Sequence, residues 1–77
     1  QPVVGPDLHD DRGPVLVTIE YRIDPARRTT FLQRMQPLGR ARRRNGALQW
    51  GVAEDSTQRG VYLEYFVDAS WREHLRQ

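Results

Sequence analysis

Residues 15–23 alternate without a break. Val15, Val17, Ile19, Tyr21 and Ile23 fall on one side, and Leu16, Thr18, Glu20 and Arg22 on the other. A repeat of two is the side-chain period of a strand, so the pattern predicts one here. Residues 48–55 predict a second strand, with Leu48, Trp50 and Val52 facing one way and Gln49, Gly51 and Ala53 the other. Residues 56–60 form a turn, and residues 61–68 return as a third strand with large side chains on both faces. One face holds Val61, Leu63, Tyr65 and Val67; the other holds Tyr62, Glu64 and Phe66. A strand wet on one side would alternate apolar with polar, so this one asks for cover on both.

Between the first two strands the period becomes helical. Asp24 suits an N-cap and Pro25 the first helical position, where no backbone donor is needed. Phe31, Met35 and Leu38 then make a single stripe. Pro37 removes a backbone donor and crowds the carbonyl of Gln33, which predicts a kink or a break into two helices. Asn45-Gly46 predicts a left-handed helix end. Ser70 with Glu73 three residues later has capping-box spacing and opens a last helix on Trp71 and His74. The order is β-α-β-β-α. It predicts an α+β domain over residues 15–77: an antiparallel sheet with helices on one face, a ferredoxin-like split β-α-β lacking its final strand.

Residues 1–14 carry Pro2, Pro6, Pro14, two glycines and Asp7, Asp10 and Asp11, and read as a linker. His9 lies there and is given no role. With 77 residues the chain supports one domain with a modest core, marginal without further help such as oligomerisation. The absence of cysteine excludes disulfides and cysteine-ligated zinc. All 12 basic residues are arginine, yet the net charge of +2 is too small to argue for nucleic acid. No apolar run approaches the ~20 residues that cross a bilayer, so the fragment reads as soluble.

The candidate pocket or dimer face is the second sheet face, assembled from Leu16, Thr18, Glu20, Gln49, Ala53, Tyr62, Glu64 and Phe66. It is amphipathic, and reads as a pocket or the interior of a dimeric barrel, or as a solvated sheet face with a few exposed aromatics; the first is favoured, because clustered apolar residues usually have cover. With the first and third strands adjacent, Glu20 and Glu64 are expected to approach one another, which would raise one carboxyl pKa if both are buried. His74, three residues from Trp71, reads as a haem ligand or general base, or as an ordinary helix-surface histidine. The latter is favoured, because no second ligand or nucleophile stands at a recognisable spacing. Arg40, Arg42, Arg43 and Arg44 crowd the end of the first helix, where they complement its dipole. A contact with anionic lipid headgroups is the sharper reading of the same cluster, worth roughly 1 kcal/mol per charge. No catalytic set, metal motif or cofactor site is expected.

The β-α-β-β-α order and the strand running into WREHL resemble the antibiotic biosynthesis monooxygenase-like group of dimeric α+β barrels. The stretches DRGPVLVTIEYRIDPARRTTFL, LGRARRRNGALQWGVAED and WREHLRQ are similar to the C-terminal tail of bacterial major facilitator superfamily exporters of the transmembrane secretion effector type, over residues 11–77. The second resemblance implies a cytoplasmic tail domain of a drug or metabolite efflux transporter. Such a tail would act as a dimerisation or small-molecule-sensing module, with a second copy and a small aromatic ligand as partners. The first implies the alternative, a cofactor-independent monooxygenase-like or haem-binding domain. Trp50, Asn45, Trp71 and His74 are the only counterparts here to residues used in that group.

Overall fold

The structure, a computed structural model, describes residues 12–76. The expected linker lies mostly outside the described residues, as does His9. The chain forms β1 (Val15–Arg22), a 3-10 turn (Pro25–Arg27), α1 (Arg28–Arg44), β2 (Gln49–Glu54), β3 (Val61–Asp68) and α2 (Trp71–Leu75). The strands make one open antiparallel sheet in the order β1-β3-β2. Both helices sit on the same side of it, giving a small α+β domain.

The local chemistry sets the boundaries. Asp24 Oδ1 accepts the Ala26 amide at 2.9 Å, and Pro25 opens the 3-10 turn that feeds α1. α1 continues through Pro37, so the predicted break does not occur. Pro37 is exposed, which leaves the unpaired carbonyl it creates on the wet side of the helix. Gly46, at φ +106°, ends α1 in the left-handed conformation predicted for it. In the β2–β3 turn, Asp55 Oδ1 accepts from the Thr57 amide at 2.7 Å and from its hydroxyl at 2.6 Å. These bonds hold the Asp55 carboxyl below the usual carboxylate range. Ser70 Oγ accepts the Glu73 amide at 3.2 Å and caps α2.

The register decides which side chains meet. Paired residues point to one face, so the helix-facing rows are Val17–Phe66–Trp50, Ile19–Glu64–Val52 and Tyr21–Tyr62–Glu54. The opposite face carries Leu16–Val67–Gln49, Thr18–Tyr65–Gly51 and Glu20–Leu63–Ala53. The face of β3 that turns to the helices is therefore the one with Tyr62, Glu64 and Phe66. Phe31 of α1 lies over it, with its ring centroid 5.4 Å from Tyr21 and 5.0 Å from Tyr62. Such tilted aromatic contacts contribute about 0.5–1.5 kcal/mol each beyond area burial. Met35 is buried in the same layer, and Phe31 and Leu38 are half-buried beside it.

Candidate functional site

The centre of the helix-facing side is a carboxylate. Glu64 is fully buried, 0% exposed. Four donor atoms from three elements converge on it. Tyr21 Oη of β1 donates to Oε1 at 2.8 Å, and Trp50 Nε1 of β2 donates to Oε2 at 2.9 Å. Arg42 of α1 gives Nε to Oε2 at 3.0 Å and a second nitrogen to Oε1 at 3.4 Å. The Arg42 guanidinium also lies 4.5 Å from the centre of the Phe66 ring, a cation–π contact. Burial alone pushes the Glu64 carboxyl up. The bonds from Arg42, Trp50 and Tyr21, with the charge of Arg42, outweigh it and leave the group below its ordinary value. Burial and the bond to Glu64 push the Tyr21 phenol up. The bond to Glu64 raises Arg42 further. Glu64 is thus held as an anion, an acceptor with its lone pairs engaged, and has no proton to trade at neutral pH.

The expected candidate face is divided by this register. Leu16, Thr18, Glu20, Gln49 and Ala53 lie on the open side of the sheet, while Tyr62, Glu64 and Phe66 lie under α1. Glu20 does not meet Glu64: Ile19 is opposite Glu64, so Glu20 points the other way and pairs with Arg22 at 2.9 Å. Two buried carboxylates side by side, the condition for a raised pKa, are therefore not formed. Instead Leu63, Tyr65 and Val67 complete the open face, and Leu16 and Leu63 stand 65% and 41% exposed there. Gly51 makes room for the Tyr65 ring, which lies across it on that side. At one end, Ala53, Val61 and Leu63 floor a groove of about 180 Å³ with the Glu20 and Asp55 carboxylates beside them.

The remaining candidates separate as well. His74 Nδ1 lies 3.1 Å from Asp68 Oδ2, and the Asp68 side chain is fully buried. The Trp71 and His74 rings meet edge-on at 5.6 Å. His74 therefore fastens α2 to the last residue of β3. Among the described residues no group of three or more histidines or carboxylates is placed to hold a metal. Of the arginine cluster, Arg40, Arg43 and Arg44 are exposed, but Arg42 turns inward to Glu64 and is not part of a lipid-facing set. Trp50 is spent on Glu64 in the same way. Tyr21, Arg42 and Trp50 were not recognised as partners from sequence, although each stood on a helix-facing position: two by strand alternation, and Arg42 four residues after Leu38 on the stripe of α1.

The whole chain, residues 1–77, matches the family model described as transmembrane secretion effector. The chain belongs to that family. No curated protein and no solved structure matches significantly. Membership in the transmembrane secretion effector family makes this a transporter-related protein. Among the described residues, however, no helix is long and apolar enough to cross a membrane. The longest, α1, has six arginines in its 17 residues.

Proposed function

We propose that this chain is a cytoplasmic appendage of an exporter of the transmembrane secretion effector family. In this reading it is a ferredoxin-like module that pairs with a second copy through the open face of its sheet, as half of a dimeric α+β barrel. One observation carries the reading: both helices cover the same side, while Leu16, Leu63, Tyr65 and Val67 form the centre of the other. A wet sheet face is ordinarily polar at alternate positions. Clustered exposed apolar side chains mark contact surfaces, and a domain this small gains stability from association. The same face carries both signs, Glu20 and Arg22, so two copies related by a two-fold axis present complementary charges to each other. A small aromatic guest between the two sheets fits this arrangement. The monooxygenase-like alternative is not favoured, since Trp50 and His74 already serve Glu64 and Asp68.

Sedimentation equilibrium tests the pairing. The expected result is a dimer that Leu63→Glu converts to a folded monomer. A wild-type chain that stays monomeric at high concentration overturns the proposal.

A further inference from the structure

On the helical side, at the junction of β1 and α1, lies a cleft of about 310 Å³ lined by Ile23, Asp24, Arg27, Thr30, Phe31 and Arg34. Its size falls at the lower end of the range of small-molecule sites, roughly 300–1,000 Å³. Arg27, Thr30, Phe31 and Arg34 follow a spacing of three, four and seven. That spacing places them along one side of the 3-10 turn and the first turns of α1. Seven residues of helix span about 10 Å, so two cations stand about two turns apart with an aromatic ring and a hydroxyl between them.

The two arginines in this cleft are not spent on any carboxylate of the described residues. Arg22, Arg28, Arg42 and Arg76 each have a carboxylate partner. Arg27 and Arg34 have none among the described residues, and both are exposed. The one carboxylate in the lining, Asp24, already accepts the Ala26 amide. The two guanidiniums outnumber it. The apolar part of the lining is Ile23 and Phe31, and Phe31 is backed by the Tyr21 and Tyr62 rings. Tyr62 is 2% exposed and its hydroxyl has no hydrogen-bond partner among the described residues, so the layer behind Phe31 still holds an unused polar group.

We propose that this cleft is a binding site for a small amphipathic anion. Its aromatic or alkyl body lies on Phe31 and Ile23, and its carboxylate or phosphate lies between Arg27 and Arg34. Guanidinium recognises both headgroups through paired N–H donors, and the planar ion tolerates a neighbouring aromatic body. The site is on the opposite side of the sheet from the proposed pairing face and stands whether or not the chain dimerises. Two sources supply such a molecule, a free aromatic acid and an anionic lipid of the bilayer.

The test is an amide NMR titration of the 77-residue chain with naphthoate, beside the neutral naphthylmethanol. Flotation with phosphatidylcholine vesicles, with and without phosphatidylglycerol, runs in parallel. The expected result is saturable shifts at Ile23, Thr30 and Phe31 with naphthoate, much weaker ones with the alcohol, and a loss of affinity of about tenfold or more in the Arg27→Gln/Arg34→Gln variant. Both arginines are exposed and have no carboxylate partner among the described residues, so circular dichroism of that variant should be unchanged. Flotation only with phosphatidylglycerol, abolished by the same variant, supports the site with lipid as the source. The proposal is overturned if neither probe binds, if the double variant binds as well as the wild type, or if the shifts fall on Leu16, Leu63 and Tyr65.

Discussion

Gly39 lies directly beneath the indole of Trp50: a methyl group on its Cα would stand 2.6 Å from the ring. The close approach lets the edge strand β2 hold its tryptophan against α1 while Nε1 reaches Glu64. Two effects oppose one another in Gly39→Ala. Helix propensity favours alanine by about 1 kcal/mol. Overpacking a filled contact costs about 1–3 kcal/mol, and displacing the indole also strains a bond to a buried charge. The second effect should win. Urea unfolding is expected to show Gly39→Ala less stable than the wild type, with Trp50 fluorescence altered in the folded state. A stabilised variant would contradict the contact.

The two halves of the Arg42–Glu64 pair are not equally replaceable. Arg42→Met leaves a carboxylate with no access to water and only two neutral donors. Glu64→Gln leaves a guanidinium whose side chain is already 25% exposed and can turn to solvent. Removing one partner of a buried pair costs about 3–5 kcal/mol when the other stays buried. Arg42→Met should reach that range and Glu64→Gln should fall below it, as read from denaturant midpoints of both variants. The reverse order would mean that Glu64 is not the buried member.

Acid should weaken the domain through the same carboxylate. The folded pKa of Glu64 lies below its ordinary value, so its contribution is complete above the unfolded pKa of about 4.3. It declines as pH falls through the folded value. The stability difference between wild type and Glu64→Gln should therefore be constant near neutrality and shrink below about pH 4.3. A difference that grows on acidification would reverse the sign of the shift.

Substitution on the two faces of β3 should give opposite results. Phe66 is 2% exposed and lies under Arg42. Phe66→Glu places an additional charge beside Glu64 in the core and should unfold the chain rather than separate two folded copies. Leu63, on the other face, accepts glutamate with the fold intact. Circular dichroism beside sedimentation distinguishes the two. A folded Phe66→Glu monomer would place Phe66 on the contact surface after all.

Much of the fold was legible because it rests on local rules. The alternation of residues 15–23 and the Asp24, Asn45-Gly46 and Ser70 signals locate β1, the start and end of α1, and the cap of α2. The side of β3 that faces the helices was not legible in the same way. Both of its faces carry large side chains, so periodicity does not choose between them. Pairing chooses: the register that sets Val17 opposite Phe66 also sets Ile19 opposite Glu64, and a glutamate goes inward where an alternation count favours valine, leucine and tyrosine. The cost of burying that charge is met by Tyr21, Trp50 and Arg42, which are 43, 14 and 22 residues away in sequence. Short-range patterning does not register such distances. Pro37 did not break the helix for a related reason: its local penalty is real, but packing of the stripe on either side carries the helix through it.

A carboxylate that draws on residues 21, 42 and 50 also makes the domain indivisible. A peptide that stops within the β2–β3 turn has every donor and no acceptor, and one that starts there has the acceptor alone. Neither piece should fold in isolation, and an emerging nascent chain has nothing to close upon until β3 has left the ribosome.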